Sequence, residues 1–445
     1  DTSITVTVPS MSPGCVGATK TYHPVYINVN GKQSNSVDFF IDPAIVIDAN
    51  TDPAVVARIF PNSRRTVRDI TYENSPGSRH ASYTTHLTLD ATVGVLSNSQ
   101  SNALANNVHD VLVKDVTFVN TNSDPILGQG VLYLSGVNQY NITFYNCVIT
   151  NNLKTVGEGS NGIKANSWGA GSHRIGDWTF ADCSIGTPNS PGGAFRRFGV
   201  EMNENPYGFP SYPEGHYLKN VQFRGCDFEP TGTFNVSFGI YGRGPDRGFL
   251  IDDCRLKGNA DIASGVHGWM PGGIEANMYG FEVRNTDVWS LGGNCALVNL
   301  VGDFSPWGGA DHVGPTAKYP DERFAHNLFR NVRLMTSRRY TTRTPSVSSR
   351  IFNTSDFSGV VWDNCDFDTG DANNSLAVAA VPDMASNRCW DMSTSYIHGV
   401  TREGSSPQPK TKAQDYWQYW NCPNPMSVYA NTLGATDWPV FGTRP

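Results

Sequence analysis

The stretch Ile142-Thr-Phe-Tyr-Asn146-Cys147-Val-Ile149 decides how this chain folds. Apolar and polar residues alternate through it, the pattern of a short strand with one buried face. An asparagine ends the first strand and a small residue opens the next. Asn and Asp tolerate the left-handed backbone region and bond nearby backbone groups, which suits them to a tight turn between two strands.

The phrase recurs along the chain. It reads Trp178-Thr-Phe-Ala-Asp182-Cys183, Val221-Gln-Phe-Arg-Gly225-Cys226-Asp-Phe228 and Phe249-Leu-Ile-Asp-Asp253-Cys254-Arg-Leu256. Later copies are Phe281-Glu-Val-Arg-Asn285-Thr286-Asp-Val288, Leu328-Phe-Arg-Asn331-Val332-Arg-Leu334 and Val360-Val-Trp-Asp-Asn364-Cys365-Asp-Phe367. Val116-Thr-Phe118 belongs to the set, and Ile70-Thr-Tyr-Glu-Asn74-Ser75 reads as a degenerate early copy. The small positions fall at 147, 183, 226, 254, 286, 332 and 365. Such uneven steps mean a fixed strand register joined by loops of variable length. A propeller would keep a tighter period, and period-two alternation excludes helical solenoids. The expected fold is all-β, a single-stranded right-handed parallel β-helix of about ten coils with terminal caps, each coil burying its face by stacking on the next. The turn residues would then stack as an Asn ladder, and Cys147, Cys183, Cys226, Cys254 and Cys365 as an internal column of small apolar side chains.

Composition agrees. Hydrophobic residues make up 39% of the 445, charged residues only 16%, and 44 are Gly, the balance of a turn-rich β protein. A net charge of −7 argues against nucleic acid as a partner, since that needs a basic footprint. No apolar run is long enough to cross a membrane as a helix. No cofactor or metal is expected. Five of nine cysteines belong to the column, no Cys-x-x-Cys occurs, and the 303–322 loop (Asp303, Trp307, Asp311, Asp321) fits no EF-hand spacing. Three regions are expected: leading coils or a cap over 1–60, with Phe39-Phe-Ile41 and Ile45-Val-Ile47 as strands; the helix proper over 61–400; and a Trp- and Tyr-rich C-terminal cap or subunit contact over 401–445. The start at Asp1, with neither Met nor signal peptide, reads as a processed or truncated product.

A second strand repeats upstream of each ladder strand: Leu132-Tyr133-Leu134, Gly162-Ile-Lys164-Ala-Asn166, Gly199-Val-Glu201-Met-Asn203, Gly239-Ile-Tyr241-Gly-Arg243, Gly273-Ile-Glu275-Ala-Asn277 and Val298-Asn299-Leu300. Alternation sends Ile163, Val200, Ile240, Ile274 and Val298 inward. Three outward columns result: the glycines; Tyr133, Lys164, Glu201, Tyr241, Glu275 and Asn299; and Asn166, Asn203, Arg243 and Asn277. Bare glycine beside amides and charges makes a trough where a flat ligand can approach the backbone, and amides and guanidinium suit sugar hydroxyls and carboxylates. Glu201 and Glu275, read as exposed and two coils apart, have Cα atoms roughly 9.6 Å apart. Inverting glycosidases keep their carboxyls about 6.5–9.5 Å apart to admit water. The pair is therefore expected to act as acid and base, with Tyr241 between them and with Lys164 and Arg243 tuning them or clamping acidic sugars. Substrate contacts are also expected from Glu204, Tyr207 and His216 in the loop after Glu201, from Asp246, Arg247 and His267, and from Trp168 and Trp269 stacking on sugar rings.

Stacked coils with outward polar stripes and an Asn ladder, over roughly residues 65–400, resemble the pectate-lyase-like superfamily of right-handed β-helices. That superfamily holds polysaccharide lyases, polygalacturonase-type glycosidases and bacteriophage tailspike depolymerases. The low charge and the Gly/Asn/aromatic style are most similar to the tailspikes. The resemblance implies a homotrimer, extracellular or on a virion surface, that binds and cuts a bacterial surface glycan with a Glu/Asp pair. Two other readings stay open. Tyr241, Lys164, Arg243 and His267 would serve a lyase acting on a uronate polymer, and the trough alone would serve a non-catalytic adhesin.

Overall fold

The computed structural model describes residues 21–25, 28–29, 32–33, 37–41, 45–74, 77–91, 101–121, 130–134, 137–151, 161–167, 175–186, 199–204, 218–229, 234–238, 249–257, 272–276, 281–289, 296–301, 327–335, 350–355, 360–368, 390–391, 394–398 and 411–412. They form an all-β protein with one helix, Pro53–Ile59. Three long sheets dominate. Sheet I has eight strands, from Asn102–Ala103 to Arg350–Ser355; sheet II has ten, from Ile45–Ile47 to Trp390–Asp391; sheet III has twelve, from Ser63–Glu73 to Thr411–Lys412. From residue 102 to residue 368 the chain visits sheets I, II and III in turn and then returns to I, so strands of this span that neighbour each other in a sheet lie three apart in the chain and pair in parallel. One such circuit is a rung.

The quoted phrase spans the step from sheet II to sheet III. Its turn residues Asp115, Asn146, Asp182, Gly225, Asp253, Asn285, Asn331 and Asn364 all have φ between 47° and 63°, the left-handed region that Asn, Asp and Gly adopt most cheaply. Gly225 has a second reason: a Cβ there would collide with Asp182 Oδ1. The conformation turns each backbone N–H toward the next rung, as in Asn146 N to Ala181 O (3.1 Å), Asp182 N to Arg224 O (2.8 Å) and Asn331 N to Asp363 O (2.9 Å). The backbone ladder thus runs through the corner without leaving orphan donors. Amides add Asn146 Nδ2 to Asp115 Oδ1 (2.7 Å), Asn331 Nδ2 to Asn285 Oδ1 (3.0 Å) and Asn364 Nδ2 to Asn331 Oδ1 (2.8 Å).

Inside the corner the small column is closed to solvent. Cys147, Cys183, Cys226, Cys254, Thr286, Val332 and Cys365 are buried, and Ser395 extends the column by one rung. The five cysteines are unbridged. Burial raises the thiols of Cys183, Cys226 and Cys254 well above the ordinary range and pushes Cys365 up to about 12. Beside them the sheet II position Phe144, Phe180, Phe223 stacks face to face, with centroids 4.7 and 4.8 Å apart; Phe329 and Trp362 do the same at 3.9 Å. Register puts these rings one above another.

Three features depart from the sequence reading. Ile70–Glu73 is no ladder copy. It belongs to the strand Ser63–Glu73, which pairs antiparallel with Ser82–Ala91 at the end of sheet III; Asp115 holds the first ladder position instead. The helix Pro53–Ile59 was not foreseen. Asp52 caps it by accepting from Ala54 N (2.7 Å), Pro53 suits its first turn, and Val56, Ile59 and the following Phe60 join the core. A second ladder of left-handed residues, Asp110, Asn141, Asp177 and Asn220 (φ 51–56°), runs through sheet II. There the register skips one residue on each strand between two paired stretches, as Tyr140–His109 and Ile142–Val111 show, and Asn220 Nδ2 donates to Asp177 Oδ1 (3.0 Å) across the step. Phe39-Phe-Ile41 lies in the strand Val37–Ile41, paired antiparallel with Thr21–Val25, and Ile45–Ile47 begins sheet II. The C-terminal aromatic segment and the 303–322 loop lie outside the described residues.

Candidate functional site

Sheet I carries the columns of the candidate site residues. Parallel register sets Leu132, Ile163, Val200, Val236, Ile274, Val298 and Phe352 in one column and Tyr133, Lys164, Glu201, Ser237, Glu275, Asn299 and Asn353 in the next. Leu132, Ile163, Val200 and Val298 are wholly buried, so at those rungs the first column faces the core, and strand alternation turns Tyr133, Lys164 and Glu201 the other way. Glu201 and Glu275 do share one register position with a single strand between them. Two strand spacings separate them, roughly 9.6 Å.

The residue between them is Ser237, not Tyr241. The strand there is Phe234–Phe238, four residues earlier than the sequence reading placed it, so Val236, in register with Val200 and Ile274, takes the place expected of Ile240. Asn235, preceding Val236 in that register, likewise interrupts the glycine column where Gly239 was expected.

Glu201 departs from expectation in a second way. It was read as exposed, yet only 6% of it is. Its Oε2 accepts from Lys164 Nζ at 2.8 Å and from the side-chain amide of Asn161. Lys164 is itself mostly covered, and Asn161 is fully buried. A carboxylate is tolerated at that depth only with such donors. The sequence held no signal for Asn161: at the start of a strand an asparagine reads as a turn residue.

The strands also place the backbones of Asn166 and Asn203 opposite each other, and that of Glu204 opposite Ser167. Trp168, Tyr207, His216, Tyr241, Arg243, Asp246, Arg247, His267, Trp269 and Asn277 lie outside the described residues.

Charged residues on the other sheets are largely matched by one another. On sheet III, Asp227, Arg255, Asp287, Arg333 and Asp366 alternate in sign at one register position. Arg333 grips Asp287 with both arms of its guanidinium (2.8 and 2.6 Å), and Arg255 reaches it at 3.2 Å. On sheet II, Glu282 and Arg284 pair at 2.6 Å; burial raises the carboxyl of the first and lowers the guanidinium of the second. The sheet III set is a cross-strand ion ladder of the kind that holds register, whereas Glu282 and Arg284 lie two apart on one strand. Sheet I carries such a pair too, Lys164 with Glu201 at 2.8 Å, and places Ser237 and Glu275 at the next two register positions of the same column.

The class these features define is an all-β protein of long, stacked parallel sheets with amide-lined corners. Among the described residues no helix is long and apolar enough to cross a membrane. No family model matches the chain, and no curated protein matches it. Among solved structures, one from Geobacillus virus E2, ORF18, is similar over 89% of this chain and 70% of its own, at 10% identity and a TM-score of 0.31. A likeness that slight bears on neither the fold nor the site.

Proposed function

We propose that the chain winds as a right-handed parallel β-helix, and that the outer face of sheet I binds a glycan polymer and hydrolyses it with Glu201 and Glu275. The observation that carries this reading is their shared register position, two strands apart, with Ser237 between them. That spacing suits a direct displacement by water, in which one carboxyl protonates the leaving oxygen while the other activates the water. Lys164 and Asn161, fixed on Glu201 Oε2, orient that carboxylate as a base held by positioned donors. The class of enzyme it fits is the tailspike-like depolymerase of bacterial surface glycans, assembled as a homotrimer.

The test is a panel of neutral and acidic bacterial polysaccharides incubated with the purified chain, with release of reducing ends followed. Wild type is expected to cut at least one of them, and Glu201→Gln and Glu275→Gln each to slow cleavage about 100-fold or more. Cleavage that survives both substitutions overturns the assignment of the pair. Ultraviolet absorbance from an unsaturated sugar would establish elimination instead of hydrolysis, and binding without cleavage would leave an adhesin.

A further inference from the structure

In the hairpin formed by Ser63–Glu73 and Ser82–Ala91, Leu87–Asp90 runs along a rung, paired parallel with Val116–Val119, while the half toward the tip runs across the rungs. Read backward from residue 86, it meets a new rung every few residues. His86 N donates to Asp115 O (2.9 Å), Asn146 Nδ2 to Thr84 O (3.0 Å), and Tyr83 Oη to Cys183 O (3.3 Å). His80 Nε2 then lies 3.2 Å from Gly225 O, Arg79 Nε donates to Asp253 Oδ2 (2.8 Å), and Lys257 Nζ donates to Ser78 Oγ (2.5 Å). The hairpin therefore lies over the outside of the amide ladder.

Its two halves are attached by different chemistry. At the root, Leu87, Leu89 and Ala91 are buried, the two leucines within the main core. Toward the tip Tyr83 is buried, and the other contacts are polar or ionic. Asp227, wholly buried, accepts from the backbone N–H of Arg79 (2.5 Å) and of His80 (3.1 Å) and from Tyr83 Oη (3.0 Å). Arg79 Nη2 reaches Asp253 at 2.7 Å, and Arg79 Nη1 and His80 Nε2 each reach Asp182 Oδ1 at 3.4 Å. Between root and tip the hairpin register slips by one residue, from Val67–Leu87 to Ile70–Thr85. An extra residue of this kind bends a strand and breaks its ladder locally.

We propose that the tip half of this hairpin is a latch, hinged at the bulge, that fastens onto the ladder and releases while the root and the rungs stay folded. His80 makes the latch pH-sensitive. The groups facing its ring are Asp182, the Gly225 carbonyl, Arg79 and the Tyr83 ring (centroids 5.1 Å apart), with Asp227 beneath its backbone. The hydrogen bond to Asp182 raises the His80 pKa against the opposing effects of burial and Arg79. A pKa raised on docking means that the docked latch favours imidazolium. Docking is therefore tightest below the ordinary imidazole range and weakens as pH rises through the raised pKa. The ion pairs of Arg79 with Asp182 and Asp253 add a dependence on salt.

The test is amide hydrogen exchange by mass spectrometry on the full chain, in mildly acid and mildly alkaline buffer at low and high salt, corrected for intrinsic exchange. Segment 77–85 is compared with 142–149. The latch predicts that 77–85 exchanges by local opening, faster than 142–149. It also predicts that opening increases with pH, by up to about tenfold for each unit by which docking raises the His80 pKa. His80→Gln removes the pH dependence and keeps the salt dependence. Equal protection of the two segments overturns the latch; local opening with the same pH dependence in His80→Gln overturns the part given to His80.

Discussion

Phe180→Ala is the perturbation that tests the stacked core most directly. The side chain is wholly buried, its ring lies between those of Phe144 and Phe223, and the planes are within 4° and 8° of parallel. Removing a buried phenyl ring costs about 3–5 kcal/mol, and the cost rises when the surroundings cannot close on the cavity. Here they cannot close easily, because Phe144, Phe180 and Phe223 sit in strands whose register is set by parallel backbone bonds on both sides. Each lost ring pair adds about 0.5–1.5 kcal/mol beyond area. The expected loss is therefore about 5 kcal/mol, with Phe180→Leu, which keeps most of the volume, near 1.5 kcal/mol. Guanidinium denaturation followed by far-ultraviolet circular dichroism measures both. The first transition is the one to compare, since stacked rungs need not unfold together. A loss below about 1 kcal/mol for the alanine variant would refute the reasoning, because it would mean that the rungs settle freely into the hole.

Two further outcomes follow from the ladder and the thiols. Asn331→Ala places a Cβ-bearing residue without a local side-chain bond at φ 53° and removes the amide bonds to Asn285 and from Asn364. About 2–3 kcal/mol should be lost in the same denaturation experiment, whereas Asn331→Gly, which keeps the left-handed backbone, should lose only about 1 kcal/mol. Equal losses would show that the amide bonds, not the backbone conformation, set the cost. Cys147, Cys183, Cys226, Cys254 and Cys365 are buried and unbridged, so an aqueous thiol reagent should label these five no faster than the protein unfolds. Prompt labelling of any of them in the native chain, read by peptide mass spectrometry, would contradict the closed column.

The sheet II to sheet III corner was legible because it joins two independent signals. An apolar alternation fixes the face, and an Asn, Asp or Gly fixes the turn, so no other register satisfies both. Sheet I lacks the second signal. In Phe234-Asn-Val236-Ser-Phe238-Gly-Ile240 each second residue is apolar, and a slip by an even number of residues keeps every side chain on its own face. Frames centred on Val236 and on Ile240 both bury apolar residues, and the glycine at 239 favoured the wrong one. The hairpin was misread for a related reason. Ile70-Thr-Tyr-Glu-Asn74 has the alternation and the asparagine of a ladder copy, but it pairs antiparallel with Ser82–Ala91, and pairing direction leaves no mark on a five-residue pattern. The Asp110, Asn141, Asp177, Asn220 ladder escaped notice because a single left-handed residue inside a strand looks like any polar outward position.

The burial of Glu201 bears on how its role can be separated from its structural cost. Removing Lys164 would leave a carboxylate 6% exposed without its ammonium, a change that costs about 3–5 kcal/mol when a buried pair is broken from one side. Lost activity in such a variant would say nothing about chemistry, since the local strand pairing would suffer with it. Glu201→Gln is the cleaner substitution. It keeps the side-chain shape and a carbonyl oxygen that can still accept from Lys164 and Asn161, while abolishing the capacity to take up a proton from water. A structural role for the charge predicts a loss of a few kcal/mol in the denaturation experiment, with any remaining cleavage scaling with the folded fraction. A catalytic role predicts a rate lowered about 100-fold or more in protein whose circular dichroism at the assay temperature matches wild type. Glu275→Gln, two strands along the same column, should then give the second half of a pair. If the two carboxylates act as acid and base on one bond, the double variant should be little slower than either single one, because each alone already removes the concerted step.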